Sequence, residues 1–321
     1  MKVIKFITGL IVLILFYLAL FYQDGFINSM HLDYYMQDVV FKITFIEIII
    51  PTAIVAVICG YVLGNIGLMM QDTFHNGIVG PELLRISAII SCINAIDLTF
   101  HLKLSIIMKL LINICMAFII GIIVFILILK MRNMVEVILM GTISAMLING
   151  IIIWMMSIGG INNATVILNY LLGTVSDRRI PHMWIAIFTF CLFILIYPFM
   201  VKYLTLTKLS DDLAQGIGVD IYRLKIILLF IAIVLTACVV TIIGPISFVS
   251  VLAPHIARMV SHHTGWQTFF AGSIGSILLL ISLNLTHISS AFSIPTGVIT
   301  SLIGIPLFII ILVFQYSKVK L

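Results

Sequence analysis

Apolar residues in this chain come in long unbroken runs separated by short polar stretches, and they almost nowhere alternate with polar ones. Hydropathy places runs at 4–22, 44–70, 83–99, 104–129, 134–158, 182–201, 225–243, 246–260, 268–287 and 296–316. About 20 apolar residues coiled as helix cross a hydrocarbon core of about 30 Å. Backbone amides in such a core must be paired within a helix or around a closed barrel. Without strand-type alternation the barrel is excluded. The pattern therefore predicts an all-α polytopic membrane protein of about ten transmembrane helices, with 1–321 forming a single transmembrane domain. The run at 246–260 is short and follows Gly244-Pro245. Proline lacks a backbone donor, so a helix broken inside the bundle is expected there, a structure that survives only where protein or a water-filled cavity satisfies the freed groups.

Composition agrees: 63% of the 321 residues are hydrophobic and 9% charged, where a soluble domain carries about a quarter. Ten spans put both termini on one side. Of the 17 Lys and Arg, Lys42, Lys103, Lys109, Arg178 and Arg179 fall on the outer side if the termini are cytoplasmic. The larger share then lies at cytoplasmic ends, as the positive-inside bias requires. Lys2 and Lys5 precede an apolar run with no small-residue cleavage site, so the first run reads as an uncleaved span. The five cysteines lie in apolar runs with no C-x-x-C pair, which suits buried side chains better than metal or disulfide roles.

The most polar internal stretch, about 202–224, is predicted to be cytoplasmic. Leu209, Leu213 and Ile217 recur at four-residue spacing on one helical face. Ser210 can cap the turn, Asp211 and Asp212 suit its positive end, and Gly216 and Gly218 end it. A short amphipathic helix outside the membrane offers a surface to a soluble partner.

From Pro51 onward five ordered blocks carry a family signature. They are Pro51, Gly60, Leu63, Gly67, Gln71, Asn76, Pro81 and Ser87; Tyr170-Leu171-Leu172-Gly173-Thr174; Leu209-Ser210-Asp211-Asp212-Leu213-Ala214-Gln215-Gly216-Ile217-Gly218; GPISFVSVLAPHIAR from Gly244 to Arg258; and Ile294-Pro295-Thr296-Gly297 with Gly304-Ile305-Pro306. The chain resembles the FecCD-type permeases of ATP-binding-cassette importers for iron–siderophore complexes, haem and vitamin B12. Independently, Gly60, Gly64 and Gly67 give a helix a smooth face for close packing in lipid. The resemblance implies a non-catalytic permease subunit whose cargo is an iron–siderophore complex, with haem or cobalamin as the alternatives. Residues 209–218 would couple to a cytoplasmic ABC ATPase dimer. Gly244, Pro245, Phe248, Pro254, His255 and Arg258 would belong to the pathway or gate. Gly60, Gly64, Gly67, Gln71, Asn76, Pro81, Gly173, Pro295, Gly297, Gly304 and Pro306 would pack helices. No G-x-x-x-x-G-K-[ST] occurs, so ATP and Mg belong to the separate ATPase and this chain is expected to bind no cofactor or metal. Further expected partners are a second permease subunit and an extracellular substrate-binding lipoprotein, with no nucleic acid. The location implied is a bacterial cytoplasmic membrane.

The sequence departs from the family pattern where outer-face arginines are expected. Ile49-Ile50-Pro51-Thr52 stands for R-L-P-R, and Ser282-Leu283-Asn284-Leu285-Thr286 covers the region of a third arginine. Asn76-Gly77-Ile78-Val79 stands for N-P-L-A, Arg85 for a glycine, and Ser210 for the first loop glycine. Selective loss at the docking positions predicts the divergent member of a heterodimer, in preference to a homodimer that docks through Lys42, Arg178 or Arg179. His255 and Arg258 share a helix face near the cytoplasmic end, which favours a structural or inner-gate role over a metal site. The 16 methionines read as gap-fillers. Asn113, Asn149 and Asn162 can bond helices or substrate. A secondary transporter would need coupling carboxylates deep in several spans; Glu47 and Glu136 come nearest to that.

Overall fold

The computed structural model describes residues 2–21, 39–81, 86–130, 134–207, 221–286 and 294–319. Leu209 to Gly218, together with Leu83, Leu84 and Arg85, lie outside the described residues. Among the described residues the regular structure is entirely helical. Helices α1 (Lys2–Phe21) and α2 (Val39–Thr44) lead into a π-helical turn, Phe45–Ile49, and then α3 (Ile50–Phe74). There follow α4 (Ile86–Thr99), α5 (Ile106–Lys130), α6 (Met134–Ile158), α7 (Gly160–Leu172) and α8 (Ile180–Leu206). The chain continues through α9 (Ile221–Ile243), α10 (Val249–Val260), α11 (Thr264–Thr286) and α12 (Thr296–Val319).

Among the described residues each hydropathy run coincides with helix over most of its length, and α9 and α10 are interrupted where Gly244-Pro245 predicted. The structure adds α7, which the hydropathy runs left out. Its 13 residues are too few to cross a bilayer, and Asn162, Asn163 and Asn169 dilute its apolar content. The π-turn has a local cause. Pro51 has no N–H to give to the carbonyl four residues back, and the Ile50 N–H instead reaches the carbonyl of Phe45, five residues back. Among the described residues four helical stretches are long and apolar enough to cross a membrane: Lys42–Phe74, Ile180–Leu206, Arg223–Ile243 and Thr264–Thr286.

Helix α3 is the axis of the bundle, and 18 of its residues are buried, so neighbours cover it on all sides. Its closest partner is α11. A Cβ built on Gly60 would lie 2.6 Å from the Gly275 carbonyl oxygen, and one on Gly64 would overlap the Ala271 carbonyl. Gly67 meets the backbone of Ser250 on α10 in the same way. Contact this close requires hydrogen side chains, and dispersion between the two backbones replaces the hydrophobic drive that lipid cannot supply. Ser276 also donates its hydroxyl to the Val57 carbonyl at 2.7 Å. The Tyr61 ring lies over Gly272, edge-on to Phe190 and Phe193 of α8.

This seam sets a mutational contrast. Gly64→Leu should destroy the fold, because a side chain there meets backbone that no rotamer change can move. Gly150→Ala on α6, where an added Cβ meets nothing within 4 Å, should be neutral or stabilising by about 0.5–1 kcal/mol. The monodisperse fraction and melting temperature of detergent-purified variants measure both.

Candidate translocation site

Two helix ends and one helix start meet at one place. Helix α7 ends at Gly173 (φ 70°) and α9 at Gly244 (φ 74°), both in the left-handed region that glycine tolerates. Gly297 lies in the first turn of α12. The Thr174 N–H donates to the Ile243 carbonyl at 2.9 Å, and the Gly297 N–H donates to the Gly173 carbonyl at 2.9 Å. The Val175 N–H donates to Thr296 Oγ1 at 3.1 Å. The irregular backbone of each break thus satisfies that of another, which is how non-helical chain persists away from water. Side chains are excluded from this node. A Cβ on Gly173 would overlap the Pro245 carbonyl, and one on Gly297 would overlap that of Leu172.

Phe248 restarts the chain after the break with φ 68°, a left-handed conformation unusual for a bulky residue. Its Cβ packs under Gly304 of α12. An apolar recess lined by Phe248, Leu252, Leu278, Thr300 and Gly304 lies beside it. Pro295 immediately precedes α12, Pro306 lies exposed inside it, Pro254 is buried inside α10, and Pro81 is buried beyond α3.

At the predicted cytoplasmic end, α10 grips the end of α3. Arg258 donates to Gln71 Oε1 at 2.5 Å and pairs with Asp72 Oδ1 at 2.7 Å. Gln71 Nε2 in turn donates to the Val251 carbonyl at 3.0 Å. His255 Nε2 lies 2.8 Å from the Gly77 carbonyl; a carbonyl only accepts, so Nε2 carries the proton. The turn it holds begins at His75 (φ 50°) and closes through Val79 N–H to the Asn76 carbonyl at 3.2 Å. A Cβ on Gly77 would stand 2.7 Å from His255 Cε1, so any larger residue there would have to displace the imidazole.

Gln71 and Asn76, expected as packing residues, act through hydrogen bonds. His255 and Arg258 contact the end of α3 and the turn that follows it. Asp72, the ionic partner of Arg258, escaped the sequence reading; its signal was a carboxylate beside Gln71 at the end of a long apolar run. Asp97 also escaped. It is 5% exposed, pairs with Lys109 Nζ at 2.6 Å and accepts the Leu104 N–H at 3.1 Å. Glu47 lies in the π-turn with its side chain exposed on the bundle surface. Asn113 bonds helix to helix, donating to Thr241 Oγ1 at 2.8 Å.

At the opposite end Thr52 donates its hydroxyl to the Arg178 carbonyl at 3.2 Å and accepts the Arg178 N–H at 3.0 Å. Arg178 folds its guanidinium back, with Nε at 3.3 Å and Nη2 at 2.9 Å from the Thr174 carbonyl. Burial pushes this guanidinium below the ordinary arginine value. Arg179 and Lys42 are exposed.

Arg258→Ala should strand the Asp72 carboxylate, whose side chain is 9% exposed. With Arg258 itself partly solvated, the loss expected is roughly 1–3 kcal/mol. Adding Asp72→Asn should recover part of it, which thermal unfolding of the detergent-purified double variant measures.

The sequence model of the FecCD transport family matches residues 10–314. Over 271 residues the chain is 26% identical to YfhA of Bacillus subtilis, a probable siderophore transport system permease protein, covering 82% of this chain and 79% of that one. It is 34% identical over 122 residues to the ferric enterobactin transport system permease protein FepG of Escherichia coli, and 39% over 121 residues to the Fe(3+)-citrate import system permease protein YfmE of Bacillus subtilis. Those two alignments span about a third of the relatives' own length, 37% and 36%, and 38% and 37% of this chain. A metal-chelate type ABC transporter solved in an inward-facing conformation superposes with a TM-score of 0.83 at 22% identity, over 97% of this chain and 99% of that one, which establishes the fold. With the match running through nearly all the described helices, the chain belongs to the FecCD transport family.

Proposed function

We propose that this chain is the membrane-spanning permease subunit of an ATP-binding-cassette importer that carries a chelated-iron (iron–siderophore) complex across a bacterial cytoplasmic membrane. The observation that carries this reading is the buried node at Gly173, Gly244 and Gly297. Non-helical backbone inside an apolar bundle is tolerated where it lines or supports a path, and a purely structural bundle has no need of it. The names of the relatives, which are siderophore and ferric-citrate permeases, supply the cargo class. The chain itself is non-catalytic in this reading, and residues 1–321 act as one permease domain with both termini cytoplasmic. ATP and Mg are held by a cytoplasmic ATPase dimer, which pushes on the segment 209–218. The His255–Arg258 clasp and Phe248 belong to the moving inner half.

The second permease subunit is a different chain. Thr52 is committed to the Arg178 backbone, and two of the guanidinium nitrogens of Arg178 are committed to Thr174, so Arg178 is poorly placed to reach a docking protein. Arg179 and Lys42 remain for the extracellular lipoprotein, and rim charges of this kind set on-rate more than affinity. Asn149, exposed on α6 and without a hydrogen-bond partner among the described residues, supports placing that face against another subunit or an aqueous path, since a bare amide is costly in lipid.

Uptake of labelled ferric siderophores, haem and cobalamin in a strain lacking this chain, with and without its restoration, tests the cargo. A ferric siderophore should accumulate only in the restored strain, and haem or cobalamin accumulating instead would reassign it. Leu213→Glu in the coupling segment should lower that uptake at least about tenfold, equivalent to about 1.4 kcal/mol of coupling, with membrane insertion unchanged on immunoblots. Unchanged uptake would remove 209–218 from the mechanism.

A further inference from the structure

The carbonyl of Val240 marks the point where α9 gives way to the break. It accepts the Gly244 N–H at 2.8 Å and, in addition, the hydroxyl of Tyr170 from α7 at 2.9 Å. A phenol has one proton to give. Because Tyr170 spends it on Val240, the contact of 2.8 Å to Asn94 Nδ2 must run the other way, with Asn94 donating to the phenolic oxygen. Asn94 of α4 is buried, and its amide nitrogen also lies 2.9 Å from the Ile90 carbonyl. The result is a one-way relay, Asn94 to Tyr170 to Val240, that ties α4, α7 and α9 together. One residue on, Thr241 receives the Asn113 amide of α5 and donates to the Ala237 carbonyl at 2.6 Å.

Tyr170 also acts through its backbone. The Gly173 N–H closes on the Tyr170 carbonyl at 3.1 Å. A Cβ on Gly244 would stand 2.7 Å from that same carbonyl oxygen. One residue therefore contacts the α7 break through its main chain and the α9 break through both main chain and side chain. Gly297 is bonded to the same Gly173 unit, so the third break is held at one remove.

We propose that Tyr170 is a positioning residue for transport: its hydroxyl holds the Val240 carbonyl, which takes the Gly244 N–H at the last turn of α9, so that the helix ends at Gly173 and Gly244 and the start of α12 at Gly297 keep a single relative placement. The inference rests on the transport reading above. Hydrogen bonds in a low-dielectric interior reinforce one another along such a chain, and the donor to Val240 is the link on which the placement depends. A ring that served only as packing would tolerate loss of its oxygen. The indole of tryptophan carries a donor and no acceptor, so it can replace the link to Val240 and not the one from Asn94.

The test uses the full transporter with its ATPase and binding protein. Two measurements are made on Tyr170→Phe and Tyr170→Trp: hydrogen exchange of the amides from 240 to 248, and the concentration dependence of ferric-siderophore uptake. In Tyr170→Phe, exchange across 240–248 should accelerate and maximal uptake should fall about tenfold with the half-saturating concentration unchanged, the pattern of a lost step rather than lost cargo binding. Tyr170→Trp should return both to within about threefold of the unsubstituted protein. Tyr170→Phe with unaltered exchange or unaltered uptake overturns the assignment. Should Tyr170→Phe fail to assemble, Tyr170→Trp decides: an assembled complex with less than about a tenth of the uptake also overturns it. Absence of uptake by the unsubstituted protein is a different result, which removes the transport reading itself and with it the purpose assigned to Tyr170.

Discussion

An amide N–H or carbonyl left unpaired in hydrocarbon costs several kcal/mol, and the organisation of this bundle follows from how that cost is avoided where the helices stop. Continuous helix would satisfy every group and leave nothing able to move. The chain instead interrupts itself at Gly173 and Gly244 and pairs those interruptions with each other and with the start of α12. Thr174 caps the last carbonyl of α9, and Gly297 closes on Gly173. Each break is tolerable because the other two are present. That mutual dependence explains why small residues are obligatory at the node: any Cβ would force the backbones apart and expose the groups they satisfy.

The rest of the structure supports this node from either end. The seam of α3 against α11 and α10 fixes a central axis through backbone contact, with Gly60, Gly64 and Gly67 facing Gly275, Ala271 and Ser250. The clasp of Gln71, Asp72 and Gly77 by His255 and Arg258 ties α10 to the same axis at the far end. Helix α10 is consequently short and begins at a left-handed residue, yet it is anchored at its other end. It has the form of a lever with one soft end and one fixed end. Buried charges are few, and the two ion pairs among the described residues, Asp72–Arg258 and Asp97–Lys109, both lie at helix ends. There the charged groups can be paired and partly hydrated, so their desolvation cost stays small.

Much of this was legible in the linear chain for physical reasons. Apolar runs of this length in a chain without alternation favour helix, so the helical regions were readable, while four of them among the described residues are long and apolar enough to span a membrane. Gly244-Pro245 combines a flexible residue with one lacking an N–H, so the break after Ile243 was readable too. Helix α7 was not, because a 13-residue helix with three asparagines has neither the length nor the apolarity of a span, and its stability comes from α5's neighbour α4, from α6 and from the node it completes. The π-turn before Pro51 was equally hidden. The proline is visible, but whether the helix kinks, ends or slips by one residue depends on what packs around it.

The sequence by itself determined the solvent, the long apolar helices and the family, because each depends on properties that act locally or repeat along the chain: apolar length, missing N–H groups, glycine spacing and ordered motifs. Only the tertiary structure decided which polar groups meet. That Arg258 pairs with Asp72 and not with a distant carboxylate, that Thr52 takes the Arg178 backbone, and that Tyr170 reaches Val240, are contacts between residues 70 to 186 positions apart. No local pattern encodes such separations. They are set by how the helices pack, which decides which buried polar groups come within reach of one another.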